Sequence, residues 1–283
     1  MIKRDTVIVG EIGINHNADM SIIKKLIDNC SDLNIPYIKF QKRDIESCYT
    51  KEFLDGPRES PWGNTQRAQK EVLELSLEQY KEIDKYCKEK NNINWFASPW
   101  DLKSIDFFKT NFPNIPFLKI PSAKATDEQF LLRCKESNFN LILSTGMCDL
   151  RMIQKAVEVF ADTSKLKYVL ACTASYPCPS EDINLYQIKY LSHYFRTPTC
   201  EIGYSDHSGS ILFPAMAVGF GAKLIEVHIT CDRKMYGSDQ AASIEPPGLR
   251  HLVKYIEEVE KGLGYPSKEI MPSEIPIIKK LRG

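Results

Sequence analysis

Three histidines lie at the ends of apolar runs in the sequence, where a buried strand would be expected to carry apolar side chains. His16, His207 and His228 each end, or closely follow, a short apolar run typical of a buried strand. Parallel strands buried on both faces read as nearly continuous apolar runs, so imidazoles at their ends need a reason. Two imidazoles with carboxylates nearby suit a divalent ion such as Mn²⁺ or Zn²⁺. If His207 and His228 were the protein ligands, open positions would remain for water and substrate, as a Lewis-acid catalyst requires.

The run that ends near His228 alternates strictly between two kinds of side chain. Leu224, Glu226 and His228 share one face, and Ile225, Val227 and Ile229 share the other. The apolar face can pack on helices, while the other face delivers a carboxylate and an imidazole to the end of the strand. A similar end, Glu11 to His16, closes the first apolar run. Glu11 and Glu226 are therefore candidate site carboxylates beside the two histidines.

Two lysines lie inside apolar runs, and serines follow at neighbouring strand ends. Lys39 and Lys119 are each flanked by apolar residues. Because burying an unpaired ammonium group costs several kcal/mol, we expect an anionic partner for both. The hydroxyls of Ser122, Ser144 and Ser205 would complete a cradle for phosphate or carboxylate. The G-x-S-x-G elbow of serine hydrolases is absent from the sequence.

The elements that must position these residues alternate regularly along the chain. Each apolar, β-rich run is followed by a segment with helical periodicity, which indicates a parallel sheet with right-handed crossovers. The predicted strands are Thr6–Gly13, Tyr37–Gln41, Asn94–Pro99, Phe117–Ser122, Leu141–Thr145, Tyr168–Thr173, Glu201–Asp206 and Lys223–Thr230. Eight repeats favour an α/β fold of the parallel (β/α)8 TIM-barrel type. An open doubly wound sheet is the alternative, but neither G-x-G-x-x-G nor G-x-x-x-x-G-K-[ST] occurs.

We expect one barrel domain over residues 1–264 and a linker or arm over residues 265–283. A length of 283 residues suits a single barrel. The segment Cys48–Lys70 is predicted to be a long loop at the carboxyl-terminal face of the barrel, where such loops are usually functional or disordered.

Composition limits the possible partners and the cellular compartment. Lys+Arg and Asp+Glu both number 37, so the balanced charge argues against a bulk nucleic-acid or membrane-surface binder. The nine cysteines include no C-x-x-C pair, which indicates reduced thiols rather than a disulfide framework. The sequence shows no signal peptide and no membrane-spanning run, so we expect a cytoplasmic protein.

Several short stretches, in order along nearly the whole chain, carry a family resemblance. They are Glu11-Ile-Gly-Ile-Asn-His16, Lys39-Phe-Gln41, Ala97-Ser-Pro-Trp-Asp101, Lys119-Ile-Pro-Ser122, Leu143-Ser-Thr-Gly-Met147, Cys172-Thr-Ala-Ser-Tyr-Pro177, Gly203-Tyr-Ser-Asp-His207, Ile225-Glu-Val-His228 and Gly237-Ser-Asp-Gln240. Each is weak alone, but together they are highly specific. The chain resembles the N-acetylneuraminate (sialic acid) synthases and their relatives for other nonulosonic acids.

The resemblance implies a reaction and a role for each candidate residue. The family condenses phosphoenolpyruvate with the open-chain aldehyde of N-acetylmannosamine or a related amino sugar, and it needs a divalent metal, Mn²⁺ or Mg²⁺. By resemblance His207 and His228 hold the metal, with Glu11 and Glu226 beside it, and either glutamate is a candidate for handling the water or its protons. The phosphoenolpyruvate residues are Lys39, Lys119, Ser122, Ser144 and Ser205, and the sugar residues are Gln41, Tyr176 and Asp239. Ser98 is a further substrate-binding candidate, and a homodimer is expected.

The sequence departs from the family pattern at several places. A family asparagine for phosphoenolpyruvate falls at Ala174, so that contact is either lost or replaced, with Ser175 as the candidate, and the family's Asn-Gly reads Asn17-Ala18. Family members also carry a C-terminal antifreeze-like domain that offers an arginine to the partner's sugar site. This chain ends about where that domain would begin, so it is either truncated or a barrel-only version. In the second case the acyl-amino group would be recognised by Asn64, Gln66 or Arg67, or not at all.

Two alternatives stay open at this point. Synthases that act on phosphosugars share the fold, but they need a second phosphate site, and no surplus basic cluster is evident in the sequence. A catalytically weak paralogue that binds a sugar or a partner protein would fit the alanine at position 174. The presence of both histidines, both lysines and Glu11 favours an active enzyme.

Overall fold

A computed structural model describes residues 5–283 and confirms the predicted barrel. Its strands are β1 (Val7–Gly13), β2 (Tyr37–Lys42), β3 (Pro57–Ser60), β4 (Gly63–Thr65), β5 (Asn94–Pro99), β6 (Phe117–Ile120), β7 (Asn140–Ser144), β8 (Leu166–Cys172), β9 (Glu201–Asp206) and β10 (Leu224–His228). Eight of them close into a parallel barrel in the order β1-β10-β9-β8-β7-β6-β5-β2. Strands β3 and β4 form a separate antiparallel hairpin.

Helices surround the barrel and connect its strands. They are α1 (Met20–Asp32), α2 (Ile45–Cys48), α3 (Lys51–Asp55), α4 (Gln66–Leu73), α5 (Leu77–Lys90), α6 (Leu102–Asn111), α7 (Glu128–Glu136), α8 (Leu150–Glu158), α9 (Tyr186–Phe195), α10 (Leu212–Gly219), α11 (Pro246–Leu263) and α12 (Ile275–Arg282). Side-chain caps fix many of their starts. Ser76 and Gln79 form a reciprocal capping box at α5, which satisfies two otherwise unpaired backbone amides.

The barrel interior is apolar at one end and polar at the other. Val9, Phe96, Ile142, Leu170 and Leu224 form a small buried cluster inside the strands. A second, larger core packs the outer strand faces against the helices and includes Ile225, Val227 and Ile229. The apolar plug fills the amino-terminal half of the barrel, so the polar side chains of Glu226 and His228 reach the carboxyl-terminal mouth, as the alternation predicts.

The segment Cys48–Lys70 is not the long loop that the sequence predicts. It forms α3, the β3–β4 hairpin and the start of α4, with Thr50 and Thr65 as helix caps. Long-range contacts hold the hairpin, because Tyr236 donates to the Glu59 carbonyl at 3.0 Å and accepts from Gln69 at 2.9 Å. The prediction of a loop was wrong because the hairpin is held by Tyr236, a residue distant in the sequence whose contacts a local pattern does not show.

The last residues also carry more structure than a plain linker. Within 265–283, a short 3₁₀ turn (Pro272–Glu274) leads into α12, whose side chains are not buried. Across residues 5–283, no helix has both the length and the apolar character needed to span a bilayer.

Candidate active site

Polar side chains at the carboxyl ends of the strands enclose a cavity of about 180 Å³, here called the inner chamber. Its lining includes most of the predicted site: Glu11, Lys39, Gln41, Ser98, Lys119, Ser122, Ser144, Tyr176, His207, Glu226 and His228. Strand register explains part of the assembly, since Glu11 on β1 pairs with His228 on one side and with Lys39 on the other. Neighbouring parallel strands thus bring an acid, a base and an imidazole to one level of the barrel.

A second cavity of about 490 Å³, here called the outer chamber, adjoins the first. Gln41, Trp100 and Tyr176 line both cavities. The remaining lining residues of the outer chamber are Ile14, Arg43, Tyr49, Phe53, Arg58, Gln66, Gln69, Lys70, Leu73, Glu74, Ser238 and Asp239. The three predicted sugar residues, Gln41, Tyr176 and Asp239, therefore all face the outer chamber.

Four charged side chains form a buried network in the inner chamber. Lys119 lies 2.5 Å from Glu226 Oε1, and Lys39 lies 3.1 Å from the same oxygen and 3.4 Å from Glu11 Oε2. Ser205 donates to Glu226 Oε1 at 3.0 Å. The sequence predicts an anionic partner for both lysines. In the structure, carboxylates of the protein already pair with them, because strands far apart in sequence meet across the barrel.

The two carboxyl groups differ in their readiness to hold a proton. Burial raises the pKa of Glu11, and the attraction of Lys39 only partly offsets this. Burial acts on Glu226 too, but Lys119 and Lys39 outweigh it and hold the pKa of Glu226 well below its usual range. Glu226 therefore stays ionised as the partner of the lysines, whereas Glu11 holds a proton more readily than an ordinary glutamate does.

Gln41 connects the network to the outer chamber. Its Nε2 donates to Glu11 Oε1 at 2.7 Å, and its Oε1 accepts from Arg43. Gly13 leaves space for this contact, since a Cβ there would lie 3.1 Å from Gln41 Nε2 and 3.2 Å from Glu11 Oε1. Gly13 also has a φ of +54°, which favours glycine. A side chain at position 13 would disturb both the backbone and the Gln41–Glu11 bond.

The serines have different surroundings. Ser122 Oγ accepts from the Gly146 amide at 3.0 Å and lies 3.8 Å from Cys172 Sγ, a weak partner that a ligand oxygen can replace. Ser144 also lines the inner chamber, and Ser98 donates to the Lys119 carbonyl at 3.0 Å. Ser205 is buried and bound to Glu226 rather than part of the chamber lining.

His207 and His228 lie next to each other, with ring centroids 5.3 Å apart. His207 Nδ1 lies 2.7 Å from the Thr173 carbonyl, and its Nε2 lies 3.0 Å from the Tyr176 hydroxyl. A backbone carbonyl on one ring nitrogen is the common way to orient a metal-binding histidine. His228 Nδ1 is buried without a hydrogen-bond partner, and Asp239 Oδ2 lies 3.7 Å away.

These donors fit a divalent ion as a two-nitrogen site. In the described part of the chain, no cluster of three or more His, Cys, Asp or Glu side chains is placed to hold a metal. The protein would thus supply His207 and His228, and water or substrate would complete the coordination. The orphaned nitrogen of His228 is the observation that favours such a ligand.

His16, the third histidine at a strand end, lines neither chamber. Its Nδ1 accepts from the Ala18 amide at 2.9 Å, and burial lowers the pKa of His16 to about 4. It is a neutral structural histidine that shapes the turn after β1.

Some residues that the sequence suggested are absent from the chamber linings, and others were missed. Gln66 lines the outer chamber, whereas Asn64 and Arg67 do not, and Arg67 pairs with Glu46 instead. Ala174 lines the inner chamber, but its proposed substitute Ser175 lines neither. The residues missed by sequence reasoning are Trp100, Arg43, Arg58, Gln69 and Lys70. Trp100 and Arg43 follow strand ends directly, a signal that could have identified them.

Comparison with known proteins is consistent with this geometry. The model of the NeuB family matches residues 26–268. N-acetylneuraminate-9-phosphate synthase of Mus musculus is 33% identical, over 99% of this chain and 77% of its own length. N,N'-diacetyllegionaminic acid synthase of Campylobacter jejuni is also 33% identical, over 98% of this chain and 84% of its own.

A solved structure agrees with both the fold and the family. The crystal structure of N-acetylneuraminic acid (sialic acid) synthetase from Leptospira borgpetersenii, in complex with citrate, superimposes with a TM-score of 0.83 at 30% identity. The match covers 98% of this chain and 92% of that one. The resemblance seen in the sequence is confirmed, and the chain belongs to the NeuB family.

Proposed function

We propose that this protein is a synthase that condenses phosphoenolpyruvate with the open-chain aldehyde of N-acetylmannosamine or a related amino sugar. The products are a nonulosonic acid and phosphate. The observation that carries the proposal is the pair of adjoining chambers, one built around buried lysines and one of sugar size, with Gln41, Trp100 and Tyr176 between them. The synthase names of the relatives support the same reaction class.

Phosphoenolpyruvate belongs in the inner chamber. Lys39 and Lys119 supply positive charge, and Ser122 and Ser144 supply hydroxyl groups for its phosphate and carboxylate oxygens. Glu226 keeps both lysines in place before the ligand binds, so little reorganisation is needed on binding.

The acceptor aldehyde enters from the outer chamber and stops near the two histidines. Gln41, Tyr176 and Asp239 are the residues proposed to contact the sugar. A divalent ion held by His207 and His228, Mn²⁺ or Mg²⁺, would supply Lewis-acid polarisation of the aldehyde oxygen. The Thr173 carbonyl fixes the orientation of the His207 ring through Nδ1 at 2.7 Å, and the Tyr176 hydroxyl, 3.0 Å from Nε2, would give up that contact to the metal.

The proposed reaction forms one carbon–carbon bond and breaks one C–O bond, and a single carboxyl group can carry the protons that move. Carbon 3 of phosphoenolpyruvate attacks the aldehyde carbon, and water adds to carbon 2, where positive charge develops. The resulting tetrahedral intermediate loses phosphate by breaking its C–O bond. Glu11 can give a proton to the new hydroxyl group and take one from the water, which suits a carboxyl with a raised pKa.

The direct test is release of phosphate from phosphoenolpyruvate with Mn²⁺ and a panel of hexosamines. We expect release only when an aldehyde acceptor is present, together with a product whose mass shows the new carbon–carbon bond. The matched control is the corresponding alditol, which keeps every hydroxyl group but has no aldehyde. Absence of release with all sugars would refute the synthase function.

The same assay separates the alternatives. If the acceptor is a different aldose, phosphate is released with sugars that carry no amino group. A weak paralogue would bind the sugar without releasing phosphate. Ala174, which lines the inner chamber where the family has an asparagine, is the feature behind the second case. A homodimer and a cytoplasmic location stay predictions.

A further inference from the structure

Four polar side chains are fully buried behind the segment that carries Asp239. Asn15 follows β1, and Thr230, Gln240 and Ser243 belong to the connection between β10 and α11. Each is at most 1% exposed, and none of the four lines either chamber. Burying a polar group costs free energy unless it is hydrogen-bonded, so the partners of these side chains indicate what they do.

A directed chain of hydrogen bonds runs from Asn15 to the backbone of Asp239. Asn15 Nδ2 donates to Ser243 Oγ at 2.8 Å, and the Ser243 hydroxyl donates to the Asp239 carbonyl at 2.6 Å. The other hydrogen of the Asn15 amide group goes to the Ile229 carbonyl at 2.9 Å. Because a carbonyl oxygen can only accept, the direction of every bond in the chain is fixed, and all donors of both side chains are used.

Asp239 is held from two sides by these contacts. Its carbonyl also accepts from the Ala242 amide at 3.1 Å, as the first acceptor of the short 3₁₀ turn Gln240–Ala242. Two donors on one oxygen leave the peptide plane after Asp239 little freedom to rotate. The Asp239 carboxylate lines the outer chamber, with Oδ2 at 3.7 Å from His228 Nδ1. The buried chain therefore sets where this carboxylate lies relative to the histidines.

Gln240 connects the same buried chain to the hairpin. Its Nε2 lies 3.4 Å from the Asn15 carbonyl and 3.4 Å from the Tyr236 carbonyl, and its Oε1 accepts from Thr230. Tyr236 is the residue that holds the β3–β4 hairpin. The turn after β1 thus positions both the Asp239 carboxylate and the tyrosine that supports the wall of the outer chamber.

We propose that Asn15 and Ser243 are positioning residues for the acceptor, which hold Asp239 in place for the sugar without touching it themselves. The inference rests on the proposed function, in which Asp239 contacts the sugar. Stability alone is a weak reason for such a pair, since apolar groups of the same shape can often replace two buried hydrogen-bonding partners at little cost. A carboxylate that is already in place lowers the entropic cost of binding, and this is what the pair adds.

The first test is Ser243→Ala, which removes the hydroxyl group and adds no atoms at a buried position. We expect the KM for N-acetylmannosamine to rise about tenfold, while the KM for phosphoenolpyruvate and the affinity for Mn²⁺ stay within about twofold. Asn15→Ala, which removes the start of the chain, should raise the same KM by a similar factor. An unchanged acceptor KM in both variants would overturn the inference.

Ser137→Ala is the matched control for a loss of stability. Ser137 is also buried, donates to the Cys134 carbonyl at 2.6 Å and lines neither chamber. Its loss should lower the urea midpoint about as much as Ser243→Ala does, but the acceptor KM should not change. An equal rise of the acceptor KM in Ser137→Ala would show that the effect of Ser243→Ala is general destabilisation, and the positioning role would be rejected.

A double-mutant cycle shows whether Ser243 acts through Asp239. Asp239→Ala alone should weaken binding of the acceptor, and adding Ser243→Ala should then change the KM no further, because the carboxylate to be positioned is gone. Additive losses would show that Ser243 acts by another route and would contradict the inference.

Two further measurements separate this inference from the proposed function. If the parent protein releases no phosphate, the proposed function fails, and calorimetric affinity for N-acetylmannosamine still compares the variants. Crystal structures of the parent and of Ser243→Ala need no substrate at all. We expect the Asp239 carboxylate to shift by about 0.5 Å or more relative to His228, with Glu11 and Lys39 unmoved. An Asp239 carboxylate that keeps the parent position would overturn the inference.

Discussion

The charged side chains of the inner and outer chambers differ in their burial and in their pairing. In the inner chamber, lysines and carboxylates pair with each other and are almost fully buried, with Lys39 and Lys119 only 3% and 4% exposed. In the outer chamber, Arg58 and Lys70 are partly exposed, form no ion pair within 4 Å among the described residues, and lie on a hairpin and a short helix. Barrel strands carry the first set, and an insertion between β2 and α5 carries the second.

The difference indicates that the inner chamber is preorganised for the reaction, whereas the outer chamber selects the acceptor. A buried network that is complete before substrate binds can support chemistry, because its dipoles and charges do not need to move. Cations without partners contribute little to folding, so their placement is better explained by a ligand. Changes in the inner chamber should therefore alter stability and catalysis, and changes in the outer chamber should alter acceptor binding alone.

The largest expected effect follows removal of the shared carboxylate. Glu226→Gln leaves Lys119 buried without its carboxylate partner and weakens the pairing of Lys39. We expect a loss of about 3–5 kcal/mol in the free energy of unfolding, measured by urea denaturation. Glu258→Gln, in an exposed pair with Lys261, is the control and should leave the midpoint unchanged. A stable Glu226→Gln protein would show that the network is not structural.

The metal proposal gives the next effect. His228→Ala removes one of two imidazoles, so Mn²⁺ affinity should fall by about 100-fold or more, measured by titration calorimetry without substrate. Activity should be lost in parallel. His251→Ala, an exposed histidine on α11, provides the comparison and should bind Mn²⁺ like the parent protein. Unchanged Mn²⁺ affinity in His228→Ala would refute the assignment.

The substitution Glu11→Gln tests the catalytic role of an inner-chamber residue separately from its contribution to stability. Glutamine keeps the shape and can still accept from Gln41, but it cannot carry a proton. We expect kcat to fall by about 10²–10⁴-fold with a smaller change in KM, measured by phosphate release. Stability should change less than in Glu226→Gln, because Lys39 keeps Glu226 as a partner. A normal kcat would assign the proton transfer to another group.

The smallest effect on folding is expected in the outer chamber. Lys70→Met removes a cation whose pKa burial lowers, against a smaller opposing effect of Glu74 and Asp239, and which forms no ion pair within 4 Å among the described residues. Loss of the contacts of Lys70 with the Tyr49 and Phe53 rings should lower the free energy of unfolding by no more than about 1 kcal/mol, measured by the same urea titration. A large loss of stability would mean that Lys70 supports the fold, and the contrast between the chambers would fail.

Sequence patterns were most informative on the barrel strands. The strict alternation from Leu224 to Ile229 correctly placed Glu226 and His228 inside, because side-chain direction in a strand depends only on position. The partners of Lys39 and Lys119 could not be predicted, since pairing with Glu226 requires strands on different sides of the barrel to meet. The hairpin and the cations of the outer chamber could not be predicted for a similar reason. Tyr236 and Glu59, which hold the hairpin, come into contact only after folding.

The fate of the bridging oxygen of phosphoenolpyruvate tests the central claim most directly. The substrate is labelled with ¹⁸O between carbon 2 and phosphorus and is incubated with the acceptor sugar and Mn²⁺. Attack by carbon 3 followed by C–O cleavage predicts that the released phosphate carries the label, as seen by mass spectrometry or by the isotope shift in its phosphorus NMR signal. Unlabelled phosphate would show P–O cleavage and would contradict condensation in the inner chamber.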